Sequence, residues 1–137
     1  MARRLIIDES IYPRIAVELR GRGCRDAETV GRLYHTGIKD PDLLRSLARD
    51  YPECVLVTSD DSLPQEHASM LRQTKITVAT ISRARAPSYE QDEWERDIIH
   101  RWAYRMEMQT KGTIRRYSLS GGRDWSPRKR PIRHARS

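Results

Sequence analysis

Aspartates stand where apolar segments of this chain give way to polar ones. Asp8 follows "RRLII", Asp40 precedes Pro41 at the head of "DLLRSLAR", and Asp60 and Asp61 follow "CVLVTS". Neighbouring carboxylates repel, and each raises the pKa of the next, so acids crowded at the edge of a core weaken it unless a cation offsets them. A set of hard oxygen donors without His or Cys suits Mg²⁺ or Mn²⁺ rather than zinc. Asp8, Asp40 and Asp60 form such a set if the fold brings them together. Read singly, each has a simpler explanation: Asp40 as a helix N-cap, Asp60 and Asp61 as a turn before a helix start. Thr58 is either an orienting hydroxyl for an aspartate or a strand-end threonine. His35, His67, His100 and His134 fall in unrelated contexts and point to no catalytic base or metal cluster.

The elements that would position these acids follow from pattern. Residues 3–7 read as a short strand, and Pro13 opens a helix, "RIAVELRGRG", closed by Gly21 and Gly23. A second short strand at Thr29 and Val30 stays open. "IKDPDLLRSLARDYP" predicts a helix with Asp40 at the N-cap, Pro41 in the first turn, and Leu43, Leu44 and Leu47 facing inward. "CVLVT" and "KITVATI" are continuous apolar runs, as in strands buried on both faces. "PQEHASMLRQ" reads as a helix from Pro64. Trp94, Ile98, Trp102 and Met106, spaced by four, mark a long helix with a packing stripe. The alternation predicts an α/β fold with a mainly parallel sheet and helices on both faces. In such sheets functional groups gather beyond the carboxyl ends of the strands. Asp8 and Asp60 therefore share one rim, and Asp40 joins them if the "YHTGIK" loop carries it there.

Charge divides the chain. Nine of the 26 Lys and Arg residues, but one of the 19 Asp and Glu, follow residue 110. The first 110 residues thus carry 17 basic and 18 acidic groups, and the net charge of +7 belongs to the C-terminal segment. Such basic, Gly/Ser/Pro-punctuated segments bind polyanions. Arg115, Arg116, Arg123, Arg128, Lys129 and Arg130 are the candidate RNA-binding residues, with Trp125 as a base-stacking or tail-anchoring aromatic. No apolar run has membrane-helix length, and "MARRLIIDES" has too short an apolar stretch for a signal peptide. With Cys24 and Cys54 in no metal-ligand or CxxC spacing, a cytoplasmic chain with reduced thiols is expected.

"LIIDESIYP" at 5–13, "TGIKDPDLLRSLAR" at 36–49 and "VLVTSDDSL" at 55–63 resemble three signature segments of the PIN-like nucleases. The nearest branch is that of the small single-domain proteins among which the VapC-type toxins of toxin–antitoxin pairs are found. The resemblance implies a three-layer PIN-like fold over residues 1–110, with 111–137 as a basic extension. It implies a Mg²⁺- or Mn²⁺-dependent endoribonuclease with Asp8, Asp40 and Asp60 as catalytic, metal-binding acids, RNA as substrate, and a cognate antitoxin protein as partner. Self-association into a homo-oligomer stays open. At one place the chain departs from the pattern: the second aspartate of a "TxDxD"-like turn falls on Ser62, and Asp61 stands between. Either Asp61 supplies the fourth metal ligand or the site is one acid short, with Glu9 and Asp42 as reserves.

Two other functions compete. A receiver-type phosphoacceptor domain would use Asp8 and Glu9 as acid pair, Asp60 as acceptor and Thr80 as switch hydroxyl. It also needs a lysine after a further strand, and the first lysine after Thr80 is Lys111. A catalytically inactive PIN-like module that only holds RNA or a protein is the third reading, kept open by Ser62.

Overall fold

A computed structural model describes residues 3–82 and 90–127. Strand β1 (Leu5–Ile7) leads into helix α1 (Arg14–Gly21), then the two-residue strand β2 (Glu28–Thr29) and the short helix α2 (Val30–Leu33). Helix α3 (Asp40–Asp50) precedes β3 (Val55–Thr58), followed by α4 (Leu63–Glu66), α5 (Ala68–Thr74) and β4 (Thr77–Ile81). The long helix α6 (Gln91–Glu107) then leads to the hairpin β5 (Ile114–Ser118) and β6 (Gly121–Asp124).

The six strands form one sheet in the order β2-β1-β3-β4-β5-β6, parallel throughout except for β6. Alternation along the strands divides the core in two. Leu5, Ile7, Val55, Val57, Ala79 and Ile81 point to the side covered by α1 and α6, where Ile15, Leu19, Ile98 and Met106 meet them. Ile6, Leu56 and Val78 point to the other side, against Leu43, Leu44, Leu47, Leu63 and Leu71 from α3, α4 and α5. Burial on both faces explains why "VLVT" and "TVATI" carry no polar alternation. The fold is thus α/β in three layers, with a mainly parallel central sheet.

Several local readings change. Asp40 is the first helical residue of α3 rather than its cap; Lys39 holds the cap position and no side chain caps the helix. The "PQEHASMLRQ" helix is broken at His67, whose φ of −120° lies outside the helical range, giving α4 and α5. The sheet also continues into the basic segment, because β5 pairs in parallel with β4 and β6 folds back on β5. Gly122 is required there. A Cβ at that position would lie 2.8 Å from the Tyr117 ring, so only glycine lets β6 pass beneath it. Among the described residues no helix is long and apolar enough to cross a membrane.

Candidate functional site

Because β1 and β3 are neighbours in register, with Ile7 opposite Val57, their carboxyl ends open side by side. The backbone then turns each aspartate onto the rim. Asp8 N–H donates to Val57 O at 2.8 Å, extending the ladder by one bond. Thr58 Oγ1 donates to Asp8 Oδ2 at 2.9 Å and accepts from Asp60 N–H at 3.0 Å, so one buried hydroxyl joins both acids. Ser10 Oγ adds a bond to Asp8 Oδ2 at 2.8 Å. Thr58 is therefore an orienting hydroxyl. Ser62 donates to Asp60 Oδ1 through both its backbone N–H (3.1 Å) and its Oγ (2.7 Å). Ser62 thus fixes the rotamer of Asp60.

Asp40 reaches the same region. Its carboxyl pKa is raised, first by burial and next by the negative charge of Asp8, with a further contribution from Asp60. His67 acts in the opposite direction, its Nε2 lying 3.5 Å from Asp40 Oδ2. The loop before α3 is held by Glu9, whose two carboxylate oxygens accept from Gly37 N–H at 2.8 and 3.0 Å. Gly37 has φ +86°, a conformation that disfavours any side chain. Glu9 thus tethers the Asp40 loop. Asp42 is paired with Arg45 on the exposed surface.

Asp61 turns from its neighbour. It forms a bidentate pair with Arg116, with Nε to Oδ1 at 2.8 Å and Nη2 to Oδ2 at 2.7 Å. Arg116 is 3% exposed, and its Nη2 also donates to Ser126 O. Trp125 lies against the guanidinium at 5.6 Å and donates Nε1–H to Asp61 O, so it anchors the segment after β6. The fork–fork geometry holds the Asp61 carboxylate on Arg116, through Nε and Nη2 of the guanidinium. Arg115 pairs with Asp124 on the outer face of the hairpin. Arg123 is exposed with no ion pair among the described residues. Arg128, Lys129 and Arg130 lie outside the described residues.

Among the described residues, no three His, Cys, Asp or Glu side chains stand close enough to hold a metal ion as they are. The donor chemistry of the rim still fits a hard divalent cation. Asp8 Oδ1 and Asp60 Oδ2 accept no hydrogen bond from described residues, and the charges of Asp8 and Asp60 oppose that of Asp40. Burial pushes the thiols of Cys24 and Cys54 up to about 11 and about 12, which removes them as nucleophiles at neutral pH.

No family model, curated protein or solved structure matches the chain. The strand order β2-β1-β3-β4-β5 occurs in flavodoxin-type doubly wound sheets, receivers among them, so topology alone does not choose between the functions above. Side chains do. Thr80 is fully buried within β4, with its hydroxyl on Arg115 O, and is no switch residue at the rim. Lys111 precedes β5, at the opposite end of the sheet, and bonds Pro52 O and Glu53. What sequence reasoning missed is His67, which is partnered with Asp40 only through the break between α4 and α5.

Proposed function

We propose that the chain is a divalent-metal-dependent endoribonuclease, with Mg²⁺ or Mn²⁺ held by Asp8, Asp40 and Asp60. The observation that carries this reading is the Thr58 hydroxyl, which fixes Asp8 and Asp60 together at the carboxyl ends of adjacent strands, beside an Asp40 whose ionisation both oppose. A cation held there by Asp8, Asp40 and Asp60 would supply positive charge for the phosphate and Lewis acidity towards water.

The chain's own residues perform the positioning. Thr58 and Ser10 hold the Asp8 carboxylate by Oδ2, leaving Oδ1 to face a cation. Ser62 does the same for Asp60 through Oδ1. Glu9 fixes the loop that delivers Asp40, and His67 Nε2 stands 3.5 Å from Asp40 Oδ2. An acidic rim alone repels RNA, so recruitment belongs to the basic C-terminal segment after residue 110, a division of charge that steers a polyanion towards the cation site. Within the nuclease reading the toxin of a toxin–antitoxin pair, held inactive by a protein partner in the cytoplasm, is the specific form that the three sequence segments favour.

The test is cleavage of a structured RNA by the full chain with Mg²⁺, with Mn²⁺ and with a chelator. Metal-dependent cleavage that disappears in Asp60→Asn supports the proposal. Cleavage that persists in the chelator, or in Asp60→Asn, refutes it.

A further inference from the structure

The hairpin presents one face whose chemistry the carboxylate rim does not explain. In the β5–β6 register Arg116 lies directly opposite Arg123, and Ser118 opposite Gly121. Residues two apart on a strand share a face, so these four side-chain positions fall together. They border a cavity of about 340 Å³, which Ser120 and Gly122 also line. Like charges directly opposite one another on a sheet are destabilising, and Asp61 offsets only one of these two. Arg116 makes its bonds to Asp61 and Ser126 through Nε and Nη2, while Nη1 donates to no described residue. Ser118 Oγ donates to Gly121 O at 3.3 Å and lies 3.0 Å from Ser120 Oγ, whose hydroxyl can turn towards a ligand. A Cβ at Gly121 would meet nothing within 4 Å, so the space over that position is open.

We propose that this cavity is an anion site for a phosphate group, bound by Arg116 Nη1, Arg123 and the Ser120 hydroxyl. Two guanidiniums across a strand pair, one of them fixed in orientation by a carboxylate, match the spread oxygens of a phosphate. The same Arg116 touches Asp61, next to Asp60, so the cavity adjoins the carboxylate rim. Resting on the nuclease reading, the phosphate is that of an RNA backbone residue beside the one cleaved. Anion binding itself does not depend on that reading.

Two full-length variants separate the possibilities without metal present. Arg123→Gln removes the exposed cation, and Gly121→Val fills the open space. Both are expected to keep the wild-type thermal midpoint. The probes are inorganic phosphate and a fluorescein-labelled single-stranded RNA with 2′-O-methyl groups, which blocks cleavage. Each variant is expected to bind both probes at least fivefold more weakly, and Arg123→Gln to lower the salt slope for RNA by about 0.7. Loss confined to RNA supports the site as a backbone subsite; loss confined to phosphate supports an anion site whose ligand is free phosphate and removes its link to cleavage. A wild-type chain that binds neither probe, or variants that bind both as wild type does, overturns the proposal. A chain that never cleaves RNA but shows these losses fails as a nuclease and keeps the anion site.

Discussion

Glu18 and Asp40 are both partly buried acids, and the protein treats them in opposite ways. Glu18, on α1, accepts from Arg96 Nε and from His100 Nε2 across the gap to α6. The bond from His100, reinforced by Arg96, outweighs burial and lowers its pKa. Asp40 has His67 nearby, but burial and the charge of Asp8 prevail, and its pKa is raised. The cavity between α1 and α6, lined by Glu18 and Asp97, measures about 670 Å³, larger than that beside the β5–β6 hairpin, yet Glu18 at its wall is already paired by the fold. The comparison teaches that the balance of neighbouring charge, rather than cavity size, separates these two acids.

The largest effect that can break this contrast is on cleavage. Asp8→Asn and Asp60→Asn should each reduce metal-dependent RNA cleavage by about a hundredfold or more, since each removes charge that holds the cation. Glu18→Gln should leave cleavage unchanged. RNA cleavage rates at saturating Mg²⁺ decide this, with circular dichroism to confirm the fold. Equal losses at the three positions would erase the distinction.

Asp61 sharpens it from within the rim. Removing one partner of a buried pair strands the other charge, so Asp61→Asn should cost about 3 kcal/mol of stability through Arg116. Chemical denaturation measures that cost. Asp60→Asn, one residue away, should cost little stability, so two adjacent aspartates would separate into a structural and a functional one.

On the compensated side, Glu18→Gln should cost about 1 kcal/mol at neutral pH, the worth of partly exposed charge-assisted bonds. Because the folded pKa of Glu18 is lowered, its contribution is present above the ordinary carboxylate value and lost as pH falls through the lowered one. Asp40 has the opposite sign. Its raised pKa makes ionisation a cost that is complete above that pKa and fades as pH falls towards about 3.9. Asp40→Asn should therefore raise the thermal midpoint slightly at pH 7, with the gain shrinking by pH 4. Thermal melts across that range check both signs.

Part of this arrangement is legible in the sequence and part is not, for definite reasons. Asp8 and Asp60 could be placed on one rim because two apolar runs without alternation imply neighbouring buried strands that end where charge begins. Leu43, Leu44 and Leu47 gave α3 its inward face by period alone. Asp61 and Arg116 are 55 residues apart, and no local pattern reveals that they pair. The same holds for Glu9 with Gly37 and for His67 with Asp40, which need the loop and the helix break to meet. Strand β6, "GGRD", defies strand propensity; tertiary context selects it, through Gly122 beneath Tyr117.

Calorimetric titration of Mn²⁺ into the full-length protein at pH 7, with Asp8→Asn and Glu18→Gln alongside, tests most directly whether the unbalanced acids await a cation. The account predicts saturable binding in the wild type, the same binding in Glu18→Gln, and at least tenfold weaker affinity in Asp8→Asn. No binding to the wild type, or undiminished affinity in a folded Asp8→Asn, would contradict it.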